Sequence, residues 1–273
     1  MHPETVKGNG IQQAYARYVT VGVVAVTRLF AQGQILHVGN FFLVAVLLMC
    51  VWAYDIFVET MKTIYNKYDK SQINVLPRAL FQGRIVVVLS ATEAKKAVDF
   101  LLSQPILGID TETRPSFKKG VVHNVSLLQV SSEDVCFLFR LNVIGMSDDI
   151  IRLLEDTKVP KVGLSLHDDL LMLHKIAEFT PGYFIDLQDH VGEIGIEDKS
   201  LQKLYANVFG EKISKGQRLT NWEADVLNDN QKLYAATDAW ACIKLYKELQ
   251  HLKANGDYEL IKHEDGQVQK SIS

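Results

Sequence analysis

The stretch Leu107-Gly108-Ile109-Asp110-Thr111-Glu112-Thr113 decides the fold, because it joins a short apolar strand to two acids. Side chains alternate between the two faces of a strand, so Asp110 and Glu112 are predicted to share one face and Thr111 to point away. Two carboxylates at the end of a buried strand are costly unless positive charge compensates them. Divalent cations prefer carboxylate oxygens, so the stretch favours a metal site. The alternative is a turn with both acids in solvent.

The composition is that of a globular protein, with 48% hydrophobic and 22% charged residues in a chain of 273. The formal net charge of −3 supplies no overall positive field for nucleic acid, so such binding would depend on local basic patches and metals. Cys50, Cys136 and Cys242 follow neither a zinc spacing nor a disulfide framework. This is typical of a reducing compartment, and the sequence therefore predicts a cytoplasmic protein.

Residues 1–60 differ in character from the rest of the chain. The stretch 35–54 contains no acidic or basic residue apart from His37, and roughly twenty apolar residues suffice to cross a bilayer. One interpretation is a membrane anchor that holds the following domain at the membrane surface. In the other, Met61 begins the working protein and the preceding residues are an upstream extension. Both interpretations remain open at this point.

The rest of the chain divides into three parts by composition. Residues 61–83 are polar and mixed, with Pro77 and Gly83 as breakers, and are predicted to be a linker. Residues 84–253 carry the regular strand and helix patterns together with the acidic stretch, and are predicted to be the working domain. Residues 254–273 are polar and are predicted to be a frayed tail.

Strand and helix patterns alternate through the predicted domain, which indicates an α/β protein. Apart from the 107–113 stretch, strands are predicted over residues 84–89, 125–130, 135–139, 161–164 and 183–186, with the second and third of these forming a hairpin. Helices are predicted over residues 93–103, 148–156, 200–208 and 229–252, and from the acids at 168–169 onward. Ser90 or Thr92 is expected to cap the first helix, and Ser147 the second.

Two further acids occupy helical positions. Asp168 and Asp169 stand at a strand-to-helix junction, where acids often serve only as caps and dipole partners. Asp238 lies within the last helix, where aspartate is a poor helix former and needs a partner. Tyr234 precedes it by four residues and therefore lies on the same helix face.

Two loops place basic residues beside these elements. The loop 114–119 follows the acidic strand and contains three basic residues, which suit either a phosphate-contacting edge or a solvated loop. The loop 211–221 includes Lys215 and is followed by Trp222. Basic residues beside an aromatic suit single-stranded nucleic acid, and they equally suit an ordinary loop anchored by a tryptophan.

Taken in order, three motifs resemble the DEDDy 3′–5′ exonuclease family, which includes RNase D, the Werner-helicase exonuclease domain and polymerase proofreading domains. The motifs are residues 110–113, residues 162–169 with the family aspartate at Asp169, and the Tyr234-to-Asp238 pair. The segment 215–223 is similar to the region that precedes the third motif in RNase D-like members. The resemblance covers about residues 84–252.

The resemblance implies an RNase H-like fold, a mixed sheet with a central antiparallel hairpin flanked by helices. It also implies metal-dependent hydrolysis of phosphodiester bonds at the 3′ end of single-stranded or 3′-ended DNA or RNA, releasing mononucleotides. Two divalent cations, Mg²⁺ or Mn²⁺, would take part. The rival interpretation is a nucleic-acid-binding module on the same fold with little or no catalysis.

The resemblance also assigns roles to individual residues. Asp110 would bridge both cations, while Glu112 and Asp238 would bind the cation that activates water. Asp169 would hold the other cation through water, and Tyr234 would orient the attacking water. The predicted substrate contacts are Thr113, which would meet the terminal nucleotide, Lys215 and Trp222.

Overall fold

The computed structural model describes residues 61–262. The membrane-anchor and upstream-extension interpretations concern residues 1–60 and lie outside the described residues, as does the tail from residue 263 onward. Between residues 61 and 262, no helix has both the length and the apolar character needed to cross a bilayer.

The described strands and helices follow the alternation that the sequence predicts. The strands are β1 (Lys62–Tyr65), β2 (Arg84–Val88), β3 (Leu107–Thr113), β4 (Val125–Ser131), β5 (Val135–Phe139), β6 (Lys161–Gly163), β7 (Phe184–Asp186) and β8 (Tyr258–Ile261). The α-helices are α1 (Lys70–Ile73), α2 (Ala91–Leu101), α3 (Leu141–Ile144), α4 (Asp148–Glu155), α5 (Leu166–His174), α6 (Leu187–His190), α7 (Leu201–Phe209) and α8 (Asp229–Asn255), and a 3₁₀ helix spans Val191–Ile194.

The chain divides into two compact units. Among the described residues, the first comprises residues 61–63 and 255–259, where the Lys62 N–H donates to the Asp257 carbonyl oxygen at 3.1 Å. The second comprises residues 64–254 and 260–262 and contains all the candidate site residues. The candidate site therefore belongs to the second unit.

Six strands of the second unit form one mixed sheet in the order β2-β5-β4-β3-β6-β7. The β3–β4 and β4–β5 pairs are antiparallel, and the other pairs are parallel. This confirms the predicted mixed sheet with a central hairpin. The acidic strand β3 lies inside the sheet, with β4 on one side and β6 on the other, so its acids face the middle of the domain.

Apolar clusters cover both faces of the sheet. Leu128 and Val130 of β4 belong to the cluster that contains helices α2 and α4, whereas Leu127 belongs to the cluster that contains Trp222 and part of α8. Neighbouring strand residues thus face opposite clusters, as the alternation of strand side chains requires. Because both faces are covered, β4 is buried along its whole length.

Helix ends depend on caps that the sequence only partly predicts. The helix predicted over residues 93–103 spans Ala91–Leu101, because the Ser90 hydroxyl accepts from the Glu93 N–H at 3.2 Å. The Glu93 carboxylate accepts from the Leu89 N–H at 2.9 Å, which completes a reciprocal cap and starts the helix early. The Ser147 hydroxyl does not cap α4; it is buried, and no partner for it lies within residues 61–262.

Several residues outside the predicted domain form buried or regular structure. Within the stretch predicted to be a linker, Ile64, Ile73 and Phe81 are buried. The Phe81 N–H also donates to the Thr237 hydroxyl of α8 at 3.1 Å. The polar average composition of residues 61–83 hides these few apolar anchors. At the other end, α8 and β8 extend the regular structure into residues predicted to be a polar tail.

Candidate active site

Three carboxylates from two elements meet at one point. Asp110 and Glu112 lie on β3 and Asp238 lies on α8, and one oxygen of each falls within 4.8 Å of the others. Asp110 and Glu112 thus reach a common point, in agreement with the strand alternation. Glu112 and Asp238 are buried, and Asp110 is partly buried, so the cluster has little access to bulk water.

The close approach of α8 to β3 depends on a glycine. A Cβ atom placed on Gly108 would lie 1.8 Å from the Ala239 carbonyl oxygen, so any larger residue would displace the helix. The facing positions Ala235, Ala236 and Ala239 are fully buried, and their small side chains let the helix reach the sheet. Since Asp238 directly precedes Ala239, the contact at Gly108 also brings Asp238 to Asp110.

The fourth acid reaches β3 from the start of α5. The Asp169 carboxylate accepts a hydrogen bond from the Thr111 hydroxyl, and its negative charge helps to raise the pKa of Asp110 and Glu112. Asp168, in contrast, is exposed. The structure therefore places Asp169, rather than its neighbour, against the acidic strand.

Sequence reasoning missed two residues that position Asp169. Thr111 is one, through the hydrogen bond just described. Asp186, at the end of β7, is the other: its carboxylate accepts from the N–H groups of Ser165 and Leu166, at 3.0 and 2.7 Å. These bonds fix the turn before α5, where Ser165 has a positive φ of 64° that is unfavourable for a residue with a Cβ. A strand that ends in an acid was visible in the sequence, but its partner was not.

Burial raises the pKa of all four acids, and repulsion from others of the four adds to the shift of Asp110 and Glu112. Burial, followed by repulsion from Asp238 and Asp169, raises the pKa of Glu112 to about 9. Burial also raises the pKa of Asp238 to about 7 and that of Asp169 to about 6. For Asp110, burial and the three other carboxylates together raise the pKa well above its usual range. Such a cluster is unfavourable when fully ionised unless cations are present.

These acids fit divalent cations on two observations. All of the donors are carboxylate oxygens, which Mg²⁺ and Mn²⁺ prefer. In addition, Asp238 Oδ1 is buried and finds no hydrogen-bond partner within residues 61–262. A buried carboxylate oxygen without a partner is costly, and a bound cation would remove that cost.

Without metal, the protein is expected to lose stability as the pH rises from about 5 to about 9. The folded-state pKa values of Glu112 and Asp238, about 9 and about 7, lie above the unfolded values of about 4. Over this range the folded protein therefore binds more protons than the unfolded chain, and the free energy of unfolding falls as pH rises. Thermal unfolding in EDTA at several pH values measures this fall.

Glu112→Gln provides the control for this prediction, since the amide does not titrate and should flatten the pH dependence. Added Mg²⁺ should raise the melting temperature more at high pH than at low pH, because only the ionised acids bind it well. A melting temperature that is unchanged or higher at pH 9 in EDTA would contradict the description of the site.

Tyr234 belongs to the same site. Its hydroxyl interacts with the Asp238 carboxylate and helps to hold down the pKa of that acid. Burial, with the negative charges of Asp238 and Glu112, raises the pKa of Tyr234 well above its usual range. The phenol therefore stays protonated at neutral pH and acts as a hydrogen-bond donor rather than as a base.

The predicted substrate contacts have different outcomes. Thr113 is half-buried beside a register shift between Glu112 and Thr113, and Lys215 is exposed with its charge acting on Asp238. Trp222 is 0% exposed, which contradicts the prediction that it contacts substrate. Its ring packs near that of Tyr234, with centroids 6.1 Å apart, so it anchors the loop from within the core. The sequence alone could not distinguish a tryptophan that stacks on a substrate base from one that anchors the loop.

The loop after β3 keeps its basic character on the surface. Lys118 and Lys119 are exposed, and Phe117 between them and the acidic strand is 85% exposed. Arg114 forms an ion pair with Glu223 at 3.0 Å, so this cation already has a partner. A phosphate-contacting role for the loop stays a prediction.

Comparison with known proteins connects this geometry to a family. The sequence model of the 3′–5′ exonuclease family matches residues 85–253. The mouse bifunctional 3′–5′ exonuclease/ATP-dependent helicase WRN is 30% identical over 187 residues, which are 65% of this chain and 13% of the mouse protein. A 3′–5′ exonuclease of Arabidopsis thaliana is 30% identical over 211 residues, which are 71% of this chain and 73% of the plant protein. The chain thus spans a small part of one relative and most of the other.

Solved structures agree with the fold. The EXO domain of Aedes aegypti Nibbler superposes with a TM-score of 0.58 at 20% identity, over 64% of this chain and 94% of that domain. Escherichia coli RNase D superposes with a TM-score of 0.55 at 19% identity, over 62% of this chain and 46% of that protein. At these identities the likeness establishes the fold alone, which is the RNase H-like fold predicted from the sequence.

Proposed function

Because the chain belongs to the 3′–5′ exonuclease family, we propose that it hydrolyses phosphodiester bonds at the 3′ end of nucleic acid as a DEDDy-type enzyme. The observation that carries the proposal is that carboxylate oxygens of Asp110, Glu112 and Asp238 lie within 4.8 Å of one another. In addition, the Asp169 carboxylate accepts a hydrogen bond from Thr111, the β3 residue between Asp110 and Glu112. The proposed domain is residues 84–253. A binding module without catalysis would have no need for this group of buried acids.

We further propose that the acids hold two divalent cations, Mg²⁺ or Mn²⁺. Asp110 would help to hold both cations, a role supported by the effect of Asp169 and Asp238, from the other elements, on its pKa. Glu112 and Asp238 would hold the cation next to the attacking water, and Asp169 the other, through water. When bound, the cations would supply charge stabilisation for the attacking and leaving oxygens of an in-line displacement.

The protein groups then have distinct tasks in the reaction. Tyr234 orients the attacking water through its hydroxyl and remains protonated, and the buried setting keeps bulk water away from the acids. The water oxygen forms a bond to the terminal phosphorus and loses a proton. The bond between that phosphorus and the 3′ oxygen of the preceding nucleotide breaks, and this oxygen takes up a proton. A mononucleotide and a strand shorter by one residue are the products.

Tyr234→Phe is expected to lower kcat by about 10²-fold while leaving KM within a few-fold of wild type, because a positioned donor acts mainly in the transition state. Steady-state rates on a single-stranded oligonucleotide measure the change. Tyr205→Phe is the matched control, since Tyr205 is a buried tyrosine of α7 that lies outside the acid cluster. Wild-type rates for Tyr234→Phe would show that its hydroxyl has no part in the reaction.

The substrate is proposed to be a single-stranded or 3′-ended DNA or RNA strand. RNase D of Trypanosoma brucei, solved in complex with the RNA U12, shares the fold at 21% identity and a TM-score of 0.55. Lys215 and Thr113 are the proposed contacts to this strand, since both lie beside the acids. Parallel assays on DNA and RNA of the same sequence decide the preferred sugar, because the 2′-hydroxyl distinguishes the two.

The test of the proposed function is the polarity of cleavage by the full chain. A linear single strand labelled at its 5′ end should give a ladder that shortens one nucleotide at a time in Mg²⁺ or Mn²⁺. A circular single strand of the same sequence should stay intact, because it offers no 3′ end. Cleavage of the circle, or shortening from the 5′ end, would contradict the proposal.

A further inference from the structure

Residues 74–81 precede the part of the chain that matches the exonuclease family, yet hydrogen bonds hold them beside the acidic site. The Ala79 N–H donates to the Lys212 carbonyl oxygen at 3.0 Å, and the Lys212 N–H donates to the Pro77 carbonyl oxygen at 2.8 Å. The Lys212 ammonium also donates to the Asn74 carbonyl oxygen. The bond from the Phe81 N–H to Thr237 then ties the segment to the turn of α8 that bears Asp238.

A cavity of about 220 Å³ lies between this segment and the helix. Arg78 lines it on one side, and Tyr234 and Asp238 line it on the other, with Ser214 and Gln217 contributed by the loop 211–221. A cation from outside the family-matched region therefore shares a cavity with two of the proposed catalytic groups. Its lining is mixed polar and apolar, as expected for a site that receives a sugar and a phosphate.

Four cations surround this side of the acids: Lys70 and Arg78 from the early segment, and Lys215 and Arg218 from the loop. Burial, and then the positive charges of Arg218 and Lys70, lower the pKa of Lys215, so these groups lie close together. Arg218 in turn acts on the titration of Glu112. All four side chains are exposed, and within residues 61–262 none of them is ion-paired to a carboxylate.

Some other basic residues of the domain are paired on the surface, as Lys95 is with Asp99 and Arg114 is with Glu223. Grouped cations without counter-charges repel one another, and an anionic ligand would relieve that repulsion. An exonuclease that removes the 3′-terminal nucleotide has the rest of its substrate strand on one side of the scissile bond only. Every further phosphate of the strand lies on the 5′ side of the scissile bond.

We propose that Lys70 and Arg78, together with Lys215 and Arg218, bind phosphates of a single-stranded substrate on the 5′ side of the scissile bond. This inference rests on the proposed exonuclease function. It adds a strand-binding edge that consists of these four cations, two of which come from residues 70–78. Positively charged grooves that follow the backbone are the usual means of holding single strands without sequence preference. The edge positions the strand, and the acids carry out the hydrolysis.

The test compares binding by the full chain with and without these charges. The double variant Lys70→Ala/Arg78→Ala is expected to weaken binding of a labelled single strand in EDTA by about 10-fold, because each lost phosphate contact removes counterion release. The slope of log affinity against log salt should decrease by about 1.4, since each single-strand contact contributes about 0.7. The matched control, Lys96→Ala/Lys158→Ala, removes two exposed charges from elsewhere on the domain and should bind as wild type does.

A second readout separates a role in positioning the strand from a general loss of exonuclease activity. The double variant should lose more activity on a twelve-nucleotide strand than on a dinucleotide, because the dinucleotide has no phosphates beyond the reacting one. Equal losses on both lengths, or affinity and salt slope matching those of the control variant, would overturn the strand-binding edge while leaving the exonuclease in place. If the wild-type chain neither bound nor shortened any strand, the proposed function itself would fail and the edge with it.

Discussion

Asp110→Asn is expected to abolish nucleotide release, lowering kcat by at least about 10³-fold, since several kcal/mol of charge stabilisation depend on the bound cations. Asp110 is the acid whose titration responds to all three of the others, so it lies at the centre of the group. An amide has nearly the same shape but lacks the negative charge that holds cations. Rates of mononucleotide release under saturating Mg²⁺ measure the loss.

The same substitution should leave the fold intact. Asp110→Asn replaces an acid whose pKa is raised in the folded protein by a group that does not titrate, so its melting temperature in EDTA near neutral pH is expected to equal or exceed that of wild type. Asp168→Asn is the matched control, because Asp168 is an exposed acid one residue from Asp169 and should retain wild-type rates. Full activity in Asp110→Asn would remove the acidic cluster from the mechanism.

Gly108→Ala is expected to reduce the free energy of unfolding by about 3–5 kcal/mol, a loss at the upper end for a single substitution. The new methyl group would lie 1.8 Å from the Ala239 carbonyl oxygen, which is backbone and has no rotamer by which to move away. Helix α8 must therefore shift away from β3, and Asp238 moves with it. Metal-dependent activity should fall together with stability.

Denaturant unfolding measures the stability loss, and Gly192→Ala is its matched control. A Cβ on Gly192 meets no atom within 4 Å, so this second glycine-to-alanine change should alter stability little. A Gly108→Ala protein as stable as the control would mean that α8 does not need this approach. The approach of Asp238 on α8 to Asp110 on β3 would then need another explanation.

The acids were predictable because each lies in an element with a strong local pattern. Strand alternation alone puts Asp110 and Glu112 on one face, and helix periodicity alone puts Tyr234 beside Asp238. Their meeting between β3 and α8 depends on Gly108 and Ala239, which are far apart in sequence and carry no chemical signal. Only the order of the motifs, through the family resemblance, indicated that the two elements meet.

The support around the acids could not be predicted in this way. Nothing local shows that Thr111 bonds Asp169, or that Asp186 holds the turn between β6 and α5 from the neighbouring strand β7. Trp222 has polar neighbours in sequence and yet is fully buried, because its burial depends on tertiary packing. The same holds for Phe81, an isolated apolar anchor in a polar segment.

The most direct measurement is product analysis of a single-stranded oligonucleotide incubated with the full chain, alongside Asp110→Asn purified in the same way. We expect mononucleotides and successively shorter strands in Mg²⁺ or Mn²⁺, and neither product in EDTA or with the variant. Mononucleotide release that persists in EDTA, or that the variant matches, would contradict it. So would an unchanged substrate from a folded wild-type chain that binds the metal.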